Sequence, residues 1–173
     1  MRFLSHFSMA VALAAVGTLA VTAMPQEAQA AKKKKEKESA VKISKETRPK
    51  VVAIQAAMAT ETPATAKPLV EALLSENLGP DDRFVAGQLA IQLGGTLKDN
   101  DLQEKGIKAS LESGLTGAEQ LPGFNFFAGN FAYGAERWAE AAQYFQTAYD
   151  LGYRANNIEP LLAESYFKRN MYR

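Results

Sequence analysis

The chain has 173 residues, carries 20 Lys+Arg against 19 Asp+Glu, and contains a single histidine and no cysteine. That length fits one domain with accessories, and the near-neutral charge lacks the footprint of a nucleic-acid binder. Without cysteine there is no disulfide framework, thiol nucleophile or lipid-attachment thiol; with His6 as the only histidine, serine-type triads and histidine-rich zinc sites are excluded too.

Residues 1–30 read as a secretory signal peptide. Arg2 is the only charge before Glu27, Met9 to Ala23 is almost wholly apolar, and Pro25 breaks the run. Ala28 and Ala30 then place small side chains where a signal peptidase cuts. The expectation is cleavage after Ala30 and export to the periplasm or beyond, as in a bacterial-type signal. An uncleaved N-terminal anchor is the alternative, but an apolar run of about 15 residues is short against the ~20 of a bilayer span. Lys32 to Lys35, just past the cut, oppose transfer somewhat. Residues 31–43 follow as a Lys-rich linker expected to be disordered. Its plain reading is a solubilising tail; its functional reading is contact with anionic lipid or cell-wall polymer through Lys32–Lys37.

From residue 44 onward every segment has helical spacing of its apolar residues, without β-branched alternation. The first helix is expected over 48–59, with Pro49 in its opening turn and Val51, Val52, Ile54 and Met58 as apolar residues. The second, over 64–77, carries Leu69, Val70, Leu73 and Leu74 and stops at Gly79-Pro80. Asp81 or Asp82 is expected to cap the third, which holds Phe84, Val85, Leu89, Ala90 and Leu93 and ends at Gly94-Gly95. Asp99 or Asn100 is expected to cap the fourth, with Leu102, Ile107 and Leu111 apolar and Gly114 closing it. Helices five, six and seven are expected over 120–134, 136–151 and 157–170.

Short connections make consecutive helices antiparallel neighbours. Alternate helices end at Gly79, Gly114 and Gly152, a spacing in the thirties that marks a stacked helical repeat. One pair cannot bury its apolar face alone, so pairs must stack to build a continuous core.

Residues 122–155 make the pattern specific. Gly129-Asn130, Trp138, Glu140-Ala141, Phe145, Ala148 and Leu151 fall within one unit of 34 residues. Leu162-Ala163, Tyr166-Phe167-Lys168 and Tyr172 repeat the offsets of Ala128-Gly129, Ala132-Tyr133-Gly134 and Trp138 at the same period. This segment resembles a tetratricopeptide repeat, and the chain is similar to that family over 122–173, more weakly back to about residue 81, where Gly87-Gln88 and Ile107/Ser110 align. The resemblance implies an all-α fold, an α-solenoid of about seven helices over 44–173. It implies close approach of Gly129 to Ala141, with Trp138 and Phe145 as bulky knobs and Tyr149 and Leu151 packing on the next unit. The last unit stops at Arg173, before its second helix, which points to a fragment of a longer array or to a second subunit covering helix seven.

The concave side of such an array is lined by first helices. The family's groove positions fall on Phe126, Phe127, Asn130 and Tyr133 in one unit and on Pro160, Leu161, Glu164, Phe167 and Lys168 in the next. An asparagine such as Asn130 can bond both the N–H and the C=O of an extended peptide, and aromatic neighbours supply anchors, although buried Phe126, Phe127 and Phe167 would equally serve as core. With Lys168 as the only cation on this face, a clamp for a terminal carboxylate is not expected. Glu164-Ser165 is superficially similar to the glutamate–serine pair of lytic transglycosylases, but only eight residues follow it, too few to form a cleft. Asp81-Asp82 and Asp99/Asp101 read as helix-start residues rather than paired catalytic carboxylates. The functional expectation is a non-catalytic exported scaffold, without cofactor or metal, that binds a protein or peptide partner. The alternatives are a self-assembling module, and thus a homo-oligomer, or the repeat portion of a larger envelope protein or enzyme.

Overall fold

The computed structural model of the chain describes residues 41–171. The expected signal peptide with Ala28 and Ala30, residues 31–40 of the Lys-rich linker, and Tyr172 lie outside the described residues. Among those described, every regular element is helical: α1 (Arg48–Met58), a 3₁₀ turn (Pro63–Ala66), α2 (Lys67–Leu74), α3 (Pro80–Leu97), α4 (Asn100–Glu112), α5 (Leu121–Gly134), α6 (Trp138–Asp150) and α7 (Ile158–Met171).

The start of this unit is earlier than the linker boundary at residue 43 implied. Ile43 packs on the first apolar cluster, and the Lys42 and Ser44 amides donate to Asp81 and Asp82 Oδ1, both at 2.9 Å. Those two aspartates therefore do not cap α3. Gly79 is its N-cap and Pro80 opens it, which uses the missing N–H and fixed φ of proline where a helix begins. α2 ends sooner than expected, at Leu74, and Leu69 and Val52 point to solvent. Asp99 does cap α4, accepting from the Leu102 amide at 3.0 Å.

The glycines of α3 are packing devices rather than stops. α3 runs through Gly94-Gly95 to Leu97 and closes on Lys98 in the left-handed region. A Cβ on Gly94 would stand 2.8 Å from Gln103 N, and one on Gly87 would stand 2.7 Å from Gly106 O and 2.9 Å from Ser110 N. Contacts thus descend α4 as they ascend α3, and the two backbones touch where side chains are missing. Gly114 and Gly152 do close α4 and α6 with positive φ, whereas Gly79 at φ −66 does not close a helix.

Successive helices are neighbours: α2 packs on α3, α3 on α4, α4 on α5, α5 on α6 and α6 on α7. Three apolar clusters follow one another along the chain. The first joins Val51, Ile54, Val70, Leu73, Leu89, Leu93 and Leu102. The second centres on Ile107, Phe124 and Ala128. The third gathers Phe126, Ala132, Ala141, Phe145, Ala148 and Ile158. Phe145 is wholly buried, which alone stabilises by about 1.5–3 kcal/mol. Its ring fills the notch at Gly129, where a Cβ would stand 2.6 Å from Phe145 Cδ1. The space a side chain on Gly129 would need is thus taken by Phe145, which shares its cluster with Ala141. Leu151, expected to pack on the following unit, is 46% exposed, while Tyr149 does pack on the third cluster.

Candidate functional site

α5 and α7 carry the expected groove positions, and the structure divides them. Phe126 is 4% exposed and belongs to the core. Its ring stacks on Tyr153 at 4.4 Å between centroids and meets Phe145 at 5.8 Å. The α6–α7 connection folds Tyr153 over it, so Phe126 cannot line an open face; that is a correction to the expected site. Phe127 is half-buried, edge-on to Phe126 and packed against both the second and third clusters. Leu161 is likewise half-buried against the third cluster.

The remaining positions come together. Tyr133, half-buried on α5, lies beside the Glu164 carboxylate of α7. Burial first, and then that carboxylate, push the Tyr133 hydroxyl up to about 12. Both effects penalise the phenolate. Trp138, at the start of α6, meets Tyr133 edge-on at 5.2 Å and an angle of 85°. The Lys168 ammonium stands 5.7 Å from the Trp138 ring centre, within cation–π range. Phe167 is 63% exposed and Pro160 is exposed. Asn130 is half-buried one turn before Tyr133, and its amide makes no side-chain hydrogen bond among the described residues.

The face is thus an aromatic floor of Tyr133 and Trp138, with Asn130, Glu164 and Lys168 as polar groups around it and Phe167 standing free. Such a surface can bury an apolar side chain and bond a backbone amide. Among the described residues no group of His, Cys, Asp or Glu side chains could hold a metal ion, and no helix is long and apolar enough to cross a membrane.

A second concavity was not foreseen. A groove of about 410 Å³ lies between α2 and α4, floored by Leu74, Leu78 and Ala109 and rimmed by charge. Its rim charges pair within the chain: Lys50–Glu76 at 2.5 Å, Arg83–Glu112 at 2.9 Å and Lys105–Glu71 at 3.2 Å. Beside it Lys108 bridges Glu104 at 2.8 Å and Glu140 at 2.5 Å, and Arg137 bonds Glu140 at 2.6 Å and also Glu104. Burial opposes the Lys108 charge, but its two glutamates outweigh this and hold its pKa above the ordinary value. The network ties α4 to the start of α6. Glu104–Lys108 and Arg137–Glu140 are local pairs at i,i+4 and i,i+3 spacing, but the two that join the helices, Lys108–Glu140 and Arg137–Glu104, lie about one repeat apart and meet only through packing.

The fold and this face define an all-helical protein with an aromatic and polar surface across two helices. Comparison with protein-family models, with curated proteins and with solved structures finds no match for the chain.

Proposed function

We propose that the chain is an exported, non-catalytic scaffold whose helix pairs stack as a tetratricopeptide-like α-solenoid. In this reading the α5/α7 face binds an extended peptide segment of a protein partner, and no cofactor takes part. The observation that carries the reading is the meeting of α5 and α7 at the Trp138 ring, which lies 5.2 Å from the Tyr133 ring and 5.7 Å from the Lys168 ammonium, with Glu164 beside Tyr133. Glu164 follows Asn130 by 34 residues, and its nearness to Tyr133, one turn on from Asn130, supports a surface shared by consecutive units, as stacking of repeats requires. Asn130 and Glu164 would bond the peptide backbone, while Trp138, Tyr133 and Phe167 would receive its side chains. The residue layout of 1–30 supports export by signal peptide, cleaved after Ala30.

Trp138 is the only tryptophan, so its fluorescence reports the face directly. Dodecapeptides selected from a random displayed library on the immobilised chain should change that emission on titration. Asn130→Ala and Tyr133→Ala should each weaken binding by roughly 5- to 30-fold, corresponding to about 1–2 kcal/mol. If both variants bind the selected peptides at full strength, the α5/α7 face is not the site. N-terminal sequencing of the protein from an envelope fraction should begin at Ala31; an intact Met1 there would contradict cleavage.

A further inference from the structure

We infer that the outer face of α7 is a self-association surface on which two copies pair antiparallel about a two-fold axis. The solvent-facing positions of α7 are Glu159, Pro160, Ala163, Glu164, Phe167, Asn170 and Met171. They recur at the three- and four-residue steps of one helical stripe. Phe167 and Met171 are 63% and 61% exposed, the two most exposed large hydrophobic residues of the described chain. A small residue, Ala163, stands one turn before Phe167.

A second copy fits this stripe for two reasons. A two-fold interface is self-complementary, so each residue meets its counterpart's neighbour in reverse order. Centred between Ala163 and Phe167, antiparallel pairing seats each Phe167 ring over the partner helix at its Ala163, a large residue against a small one. The charges agree with the same register. α7 carries Glu159 in its first turn and Lys168 and Arg169 in its last. Glu164 and Lys168 lie along one flank of the stripe, and a two-fold axis puts like flanks together with their directions reversed. Glu164 of each copy then lies toward Lys168 of the other, and the reverse. Because Glu164, Phe167 and Lys168 also belong to the peptide-binding face proposed above, pairing and peptide capture compete. Self-association does not depend on that reading, since it is measured without peptide.

Sedimentation of the full chain should show a reversible monomer–dimer equilibrium. Phe167→Asp, at an exposed position, should weaken it by roughly 30-fold or more without altering the helical circular dichroism. Glu164→Lys and Lys168→Glu should each weaken pairing, and the double exchange Glu164→Lys/Lys168→Glu should restore it. Rescue by the double exchange is an outcome that general damage to α7 would not produce. A chain that stays monomeric at all attainable concentrations overturns the inference. So does association that survives Phe167→Asp, or single exchanges that the double exchange does not repair. Loss of peptide binding with intact pairing, or the reverse, tells the failure of one reading from the failure of the other.

Discussion

The Tyr133 hydroxyl on α5 and the Glu164 carboxylate on α7 are side by side, and the phenol is held up to about 12 by burial and by that negative charge. An unfolded tyrosine titrates near pH ~10. Below that value both states keep the proton and the full contribution of this site to stability is present. Between about pH 10 and 12 the unfolded chain gives up its proton first, so stability falls as pH rises. Denaturant midpoints recorded across this range should decline less steeply for Tyr133→Phe than for the unmodified chain. Glu164→Gln should move the phenolate absorbance of Tyr133 part of the way down, since burial is the larger cause and remains.

Adjacent glycines in α3 should respond to alanine with opposite signs. At Gly94 a new Cβ meets Gln103 N at 2.8 Å and Asp99 O at 3.0 Å, both backbone atoms that cannot step aside. Gly94→Ala should therefore destabilise by about 1–3 kcal/mol, as over-packing does. At Gly95 nothing lies within 4 Å, and the substitution should stabilise by up to about 1 kcal/mol through helix propensity. Thermal unfolding followed by circular dichroism would check both.

Asp82 fastens the start of the described unit. Burial alone would push its carboxyl up, but bonds from the Ser44 amide, the Ser44 side chain and Thr47 hold it below the ordinary range. A depressed carboxyl pKa contributes stability above the unfolded value near ~3.9, lost as pH falls through the folded pKa. Asp82→Ala should cost about 1.5–3 kcal/mol, the range for hydrogen bonds to a charged group. It should also deprotect the Ser44 amide in hydrogen exchange; unchanged protection would show that Ile43 packing alone holds the segment.

Glu136 ends α5 with φ 58, its amide bonded to Tyr133 O at 3.0 Å and the Arg137 amide to Ala132 O at 2.9 Å. This is a Schellman closure, in which glycine avoids the left-handed penalty of a side chain. Glu136→Gly should raise stability by about 1 kcal/mol, and Gly152→Ala, at φ 93, should lower it comparably. Equal melting temperatures for all three chains would contradict the closure.

Helical periodicity made the seven α-helices of the described residues legible, and most of their bounds, because each apolar stripe faces a neighbour. What escaped had its cause outside the local sequence. Phe126 has the spacing of a groove residue, yet Tyr153 from the next connection covers it. Gly94 has the look of a helix stop, yet α4 needs its missing side chain. Asp82 has the place of a cap, yet Ser44 lies near enough to take its carboxylate. Tyr133, Glu164 and Lys168 were expected on one face from the tetratricopeptide resemblance, and the Trp138 ring lies between Tyr133 and Lys168. Trp138 was read as a core knob and stands half-exposed beside them, a role visible only once Lys168 lies over its ring.

Amide chemical-shift mapping of the ¹⁵N-labelled chain, titrated with a library-selected peptide, would locate the working surface without assuming it. Shifts concentrated on Asn130, Tyr133, Trp138, Glu164 and Lys168 are the expected result. Shifts confined to the α2–α4 groove around Leu74, Leu78 and Ala109, with α5 and α7 unmoved, would contradict a binding face shared by successive repeats.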